Sequence, residues 1–290
     1  MTFSLPQPWP TNPWPTRFRT VRASPPDALA AGLRFVTVNS PSLGGRGELA
    51  VHVPAAAESH SSLPLVVLLH GVYGSFWNWS LLGSAHLVLD RLIAAGEVRP
   101  MVLAMPSDGL AGEGTGYLTH PDADYEAWII DDVVTAVAEM VAGVTEHSGL
   151  FLGGNSMGGF GAARLGVRHR DRVSGIVLHS AITDLDQLAE FTVDDIGDQA
   201  GIDRTDRNLL AVIDDTGGAI PPLLFDCGRS DPLIVANREL HRALDERGID
   251  HGYEEFDGGH DWDAWSRRIE HGLRFVDEVS RAAAPEEVSP

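Results

Sequence analysis

The apolar run Leu150-Phe151-Leu152 ends in Gly153-Gly154-Asn155-Ser156-Met157-Gly158-Gly159, and a helical stretch from Phe160 to His169 follows. A strand, a Gly-Xaa-Ser-Xaa-Gly turn and a helix in that order lift a serine hydroxyl above a sheet, in strained backbone, as a nucleophile. Glycines two residues to either side fit because a side chain would collide in so tight a turn. The helix behind Ser156 points its free amides at the charge that develops when the hydroxyl attacks a carbonyl. The plain reading is a turn serine; the flanking strand and helix favour the nucleophile.

A serine hydroxyl is inert near neutral pH unless a base takes its proton and a third group orients that base. In this architecture the acid and then the histidine are expected on loops after later strands. Asp226-Cys227-Gly228-Arg229-Ser230-Asp231-Pro232 follows the apolar run Leu223-Leu224-Phe225, and Asp257-Gly258-Gly259-His260-Asp261-Trp262 follows the last strand-like stretch. Of the twelve histidines, His260 is singled out by its place on a glycine loop between strand and helix, and it is read as the base. Asp231, beyond a strand end and before Pro232, is read as the acid. Asp226 is its main rival, Asp214 and Asp215 are further ones, and a helix cap is its plain reading.

The attack also creates an oxyanion that needs two donors. The N–H of Met157, directly after the serine, is one. The other is expected from His70-Gly71-Val72-Tyr73-Gly74, which follows a buried strand; Val72 N–H is the choice and Tyr73 the alternative. Tyr73, Trp77 and Trp262 are the candidate substrate contacts, being aromatic and next to the inferred site. No metal and no cofactor is expected. No His-Glu-Xaa-Xaa-His spacing or nucleotide fingerprint occurs, and Asp122, Asp124 and Glu126 read as the polar start of a helix.

These residues need a framework of alternating strands and helices. Leu33 to Val38 and Glu48 to Val53 alternate around Pro41-Ser42-Leu43-Gly44-Gly45, which predicts a hairpin. Leu65 to Leu69 and Met101 to Met105 are continuous apolar runs, as in strands buried on both faces. Helices are predicted over Leu82 to Ala95, along Ile130, Val133, Val134, Val137 and Val141, over Leu233 to Arg247 and over Trp262 to Val279. Val173 to Leu178 and His251 to Phe256 complete the strands. The expected fold class is α/β: a mostly parallel sheet opened by an antiparallel hairpin, with helices on both faces. One domain is expected over 31–280, with a Pro-rich arm at 1–30, a small acidic, cap-like insertion at 181–220 over the active-site end, and a polar tail at 281–290. The arm carries Trp9, Trp14 and Phe18 and is expected to lie extended on the domain.

A net charge of −20 is built from 41 acidic residues against 21 basic ones, all arginine. Such a surface repels nucleic acid and anionic membranes, so neither is an expected partner. The lack of lysine excludes Schiff-base chemistry and Ser-Lys dyads. Cys227 is the only cysteine, so no intrachain disulfide forms, and it reads as a small apolar residue. No apolar run reaches membrane-spanning length and Met1-Thr2-Phe3-Ser4-Leu5-Pro6 is no recognisable secretion signal, so a cytoplasmic location is expected.

Taken in order, Leu68-Leu69-His70-Gly71 with Asn78-Trp79, Gly154 to Gly159, Cys227-Gly228 before Asp231, and Gly259-His260-Asp261-Trp262 with Trp265 resemble the α/β-hydrolase superfamily. More narrowly, the chain resembles the putative-esterase family, which includes esterase D-type S-formylglutathione hydrolases, feruloyl, acetylxylan and enterochelin esterases, and mycolyltransferases. The resemblance spans Leu33 to Val279 and implies the α/β-hydrolase fold. It also implies Ser156 as nucleophile, His260 as base, Asp231 as acid, and Val72 and Met157 as oxyanion donors. The expected activity is a serine carboxylesterase on small soluble esters. An acyltransferase or thioesterase with the same triad is the alternative, and a non-catalytic binding protein on a hydrolase scaffold a third reading.

Overall fold

The computed structural model describes residues 15–17, 21–23, 32–194, 196 and 203–283. Nine strands are present among them: β1 (Val21–Ala23), β2 (Leu33–Ser40), β3 (Gly45–His52), β4 (Leu65–Leu69), β5 (Val102–Pro106), β6 (Leu150–Asn155), β7 (Val173–His179), β8 (Leu223–Gly228) and β9 (Gly252–Phe256). They form one sheet in the order β1-β2-β3-β5-β4-β6-β7-β8-β9. β1, β2 and β3 are antiparallel, and the six strands from β5 to β9 run parallel. The hairpin is longer than its alternation predicts, because pairing runs unbroken from Leu33–His52 to Ser40–Gly45.

The continuous apolar strands reflect two cores, one on each face. Leu65, Val67 and Leu69 of β4 point into one, and Val66 and Leu68 into the other. Burial on both sides removes the alternation a half-exposed strand would show. Helices cover both faces: α1 (Asn78–Leu81), α2 (Ala85–Ala94), α3 (Tyr125–Ala127), α4 (Val134–Met140), α5 (Met157–Arg168), α6 (Leu209–Asp215), α7 (Ile234–Glu246), α8 (Trp262–Ser266) and α9 (Ile269–Ala283). Among the described residues no helix is long and apolar enough to cross a membrane.

Several boundaries depart from the sequence reading. The arm contributes β1 to the sheet, and Arg17 reaches Asp132 at 2.5 Å; Trp9, Trp14 and Phe18 lie outside the described residues. The helix predicted from Leu82 begins at Ala85, after a break in which Ser84 takes φ 55°. The last helix is two helices, and α9 runs to Ala283, into the expected tail. Between α3 and α4, Trp128–Val133 forms a π-helical turn that buries Trp128, Ile129, Ile130, Asp132 and Val133. Buried Asp132 accepts from the Ser40 hydroxyl at 2.5 Å, and the Trp128 indole N–H donates to the Ser107 carbonyl at 2.8 Å. Count-based periodicity misses such a turn because one inward residue is polar.

Asp206, in the 181–220 stretch, is held to the body by a charge cluster centred on buried Arg164. Arg164 of α5, with a side chain 3% exposed, pairs with Glu126 at 2.7 Å and with Asp206 at 3.2 Å. His169 meets Glu126 at 2.8 Å, and Arg168 reaches both carboxylates. Burial alone would raise the Glu126 carboxyl, but His169 and the Arg164 and Arg168 guanidiniums outweigh it and hold it down to about 2. This value lies below that of the unfolded chain, so the stabilisation is complete above about pH 5 and fades as pH falls through about 2; it is worth on the order of 3 kcal/mol. Glu126→Gln is expected to cost about 2–3 kcal/mol at pH 7 and to flatten the acid limb of a stability–pH curve from urea unfolding. An unchanged acid limb would remove this cluster as its source.

Candidate active site

The chain steps from β4 to β5 on one side and then returns to place β6 on the other side of β4. Such a reversal opens a crevice at the carboxyl ends of the two strands. Ser156 follows β6 there and His70-Gly71 follows β4. Ser156 has φ 54° and ψ −122°, a conformation that costs free energy and must be imposed by its surroundings. Two glycines make the turn fit: a Cβ on Gly154 would lie 2.3 Å from the Gly158 carbonyl oxygen, and one on Gly158 would lie 2.2 Å from that of Leu69. The Ser156 N–H is held by the His179 carbonyl at 3.1 Å.

His260 Nε2 lies 2.9 Å from Ser156 Oγ, and its Nδ1 lies 2.9 and 3.1 Å from the two carboxylate oxygens of Asp231. A carboxylate only accepts, so Nδ1 carries the proton and Nε2 is free to accept from the serine hydroxyl. Side chains of Asp231 and His260 are 0% and 14% exposed, so the acid is sealed while the base keeps an edge to solvent. The Asp231 loop is braced from β9: Arg229 N–H donates to the Phe256 carbonyl at 2.8 Å and Ser230 N–H to that of Gly258 at 3.0 Å. Phe191 stacks on the His260 ring at 4.9 Å, and Trp265 meets it edge-on at 4.9 Å.

The rival acids are committed elsewhere. Asp226 lies in β8 opposite His179 of β7, contacts it at 3.0 Å and accepts from Arg268 at 2.9 Å. Asp214 is paired with Arg247 at 2.7 Å and Asp215 is exposed. Burial, with the Asp231 charge beside it, pushes the Cys227 thiol up to about 12, so it stays protonated and unreactive. Arg229 is bound to Asp257 at 2.7 Å and to the Glu255 carbonyl at 2.9 Å, away from the serine.

Of the two oxyanion alternatives after β4, Tyr73 has its N–H spent on the Glu113 carbonyl at 3.0 Å. Val72 follows Gly71, where an added Cβ would lie 3.2 Å from that of Ser156. His70 Nδ1–H donates to the Gly71 carbonyl at 2.7 Å, and His70 Nε2 accepts the Asp108 N–H at 3.1 Å. Fixing the Gly71 carbonyl fixes the peptide plane, so the Val72 N–H points to the other side of it. Met157 opens α5, so its N–H has no carbonyl within the helix to bond.

Tyr73 is 65% exposed at the rim; its hydroxyl donates to Glu113 at 2.8 Å, with the Phe191 carbonyl as a second, longer acceptor of the same hydrogen at 3.2 Å. Glu113 also accepts the N–H groups of Val193 and Asp194 at 2.6 and 2.9 Å, which ties 191–194 to the loop beside the serine. Trp77 is partly exposed ahead of α1, whereas Trp262 packs edge-on against Trp79 and Trp265 at 5.2 and 5.3 Å, in the wall behind His260. Sequence reasoning missed Phe191, Glu113 and the anchoring role of His70. Only His70 left a signal, by its place before glycine at a strand end. Asp124 caps α3 through the Ala127 N–H at 2.9 Å, as the polar start of a helix would. A groove of about 640 Å³ between Gly217 and Asp250 shares no residue with the Ser156 cluster.

Known proteins similar to this chain include a family, a relative and two solved structures. The model of the family described as "Putative esterase" matches residues 40–276. A protein named acetyl esterase from Caldicellulosiruptor saccharolyticus is 29% identical over 239 residues, covering 76% of this chain and 85% of that protein. Among solved structures, a ferulic acid esterase superposes with a TM-score of 0.73 at 23% identity, covering 90% of this chain and 98% of that one. An S-formylglutathione hydrolase from Staphylococcus aureus superposes with a TM-score of 0.71 at 19% identity, covering 84% of this chain and 97% of that one.

Proposed function

The chain belongs to the putative-esterase family of α/β-hydrolase fold, carboxylic ester hydrolases, and from that premise we propose that Ser156, His260 and Asp231 are its catalytic triad. The observation that carries the reading is the unbroken chain of contacts Asp231–His260–Ser156, 2.9 Å at each step. Ser156 Oγ attacks the ester carbonyl while His260 Nε2 takes its proton, and Asp231 stabilises the resulting imidazolium. The tetrahedral oxyanion is met by the N–H groups of Val72 and Met157. Collapse breaks the bond to the alcohol, which leaves with the proton from His260. Water then repeats the sequence on the acyl-enzyme and frees the acid and Ser156.

The substrates are small esters with short acyl groups. Support comes from Phe191, which covers the His260 ring at 4.9 Å, and from the acetyl esterase relative. In this reading 181–220 serves as a small cap, clasped to the rim through Tyr73 and Glu113. Labelling by a fluorophosphonate, followed by a panel of aryl esters from acetyl to octanoyl with a feruloyl ester and a glutathione thioester, tests it. The acetyl or propionyl ester is expected to give the highest kcat/KM. Phe191→Ala is expected to shift the octanoyl-to-acetyl ratio of kcat/KM upward by roughly tenfold, the scale of one or two methylenes of pocket contact. A preference for the feruloyl ester or the thioester in the unaltered protein would replace the short-acyl reading.

A further inference from the structure

We propose that His241, Asp245 and His251 form a binding site for one divalent transition-metal ion, of the Zn²⁺ or Ni²⁺ class, at the end of the sheet opposite Ser156. His241 and Asp245 are four residues apart on α7 and so share one face of it. His251 lies just before β9, with a side chain 2% exposed. Their ligand atoms lie within 4.8 Å of one another.

With both histidines neutral the cluster holds a carboxylate and no cation. His251 Nδ1 is 2.8 Å from the Ile249 carbonyl, which can only accept, so Nδ1 carries the proton and Nε2 a lone pair. That Nε2 lies 2.8 Å from His241 Nδ1, which therefore donates to it. In neutral His241 the remaining nitrogen, Nε2, then carries a lone pair and faces Asp245 Oδ2 at 3.5 Å. His251 Nε2 lies 3.9 Å from Asp245 Oδ1. Two imidazole nitrogens that share a single proton, His241 Nδ1 and His251 Nε2, thus lie beside a carboxylate. Neighbouring guanidiniums do not relieve them: Arg247 is spent on Asp214 and Arg238 on Glu255, both at 2.7 Å. Among the described residues Asp245 forms ion pairs with these two histidines and with no arginine.

A metal ion takes the place of the proton between the two rings, bound by His241 Nδ1 and His251 Nε2; that proton moves to His241 Nε2, facing Asp245 Oδ2, while Asp245 Oδ1 is the third ligand and water completes the shell. Two imidazoles and one carboxylate suit Zn²⁺, Ni²⁺ or Cu²⁺ and do not suit Mg²⁺ or Ca²⁺, which prefer oxygen. The site is also built beyond its ligands. The Ile249 carbonyl orients His251, while the His251 and His241 rings stack on Phe225 and Tyr253 at 5.6 and 4.6 Å. α7 begins just after Asp231 and β9 ends just before His260, so an ion here staples the far ends of the elements that carry acid and base. Its role is stability, and it stands or falls apart from the esterase reading.

The test titrates Zn²⁺ into the untagged, chelator-treated full chain by calorimetry, with His241→Ala and Asp245→Ala as variants. Both side chains are partly or fully exposed, and circular dichroism checks that the variants fold. One ion per chain is expected, with affinity lowered about tenfold or more in each variant and no heat from Mg²⁺. Zn²⁺ at a hundred times its Kd is expected to raise the unfolding midpoint by about 5 °C in the parent, and less in the variants. Absence of saturable 1:1 binding, or equal affinity in parent and variants, overturns the proposal.

Discussion

Ser156→Ala is expected to lower kcat/KM for an aryl acetate by on the order of 10⁵- to 10⁶-fold, and to abolish fluorophosphonate labelling. The size follows from what the substitution removes. The oxygen that forms the acyl bond is gone, while the Val72 and Met157 N–H groups remain, so only the residual catalysis of an oxyanion hole and binding survives. The fold should not move. Among the described residues the Ser156 hydroxyl has His260 Nε2 as its partner at 2.9 Å, and the backbone at φ 54° is held by main-chain bonds to His179 and Ile182. A variant that folds normally and hydrolyses the ester within about tenfold of the parent rate would place the nucleophile elsewhere.

How far the chain could be read depended on which physical constraint each feature leaves in the residues. The elbow was legible because its glycines answer backbone collisions at 2.2 and 2.3 Å, and no other residue fits there. β4 and β6 were legible as runs buried on both faces, and the chain order of Asp231 and His260 follows from the parallel sheet. Sequence favours Asp231 over Asp226 by its place on a loop but leaves Asp226 as a rival. Both are buried, both face a histidine, and only the pairing of β7 with β8 shows that Asp226 belongs to His179. Phe191 was invisible for a different reason. It lies in an acidic, irregular stretch with no periodicity, and its place over His260 is set by Glu113 far away in the chain. The π-helical turn hid behind Asp132, whose inward direction depends on Ser40 and Arg17.

The pair of aspartates gives the sharpest contrast between a group that acts on the reaction and one that holds the fold. Asp231→Asn is expected to lower kcat by on the order of 10⁴-fold with little loss of stability. The amide can keep the Leu233 N–H bond, now 2.8 Å, but it carries no charge to stabilise the imidazolium and can present its NH₂ to His260, favouring the wrong tautomer. Asp226→Asn is expected to do the reverse. It removes the buried one of the two carboxylates that balance Arg268, the other being Glu254 at 2.6 Å, and it weakens the link to His179 behind the elbow. Breaking such a pair costs roughly 3 kcal/mol, while kcat at a temperature where the variant is folded should change by less than about tenfold. Urea unfolding and steady-state kinetics on the two variants read the two effects separately. Should Asp226→Asn lose activity while Asp231→Asn keeps it, the acid would be Asp226, and His260 would need a different partner in the working enzyme from the one 2.9 Å away.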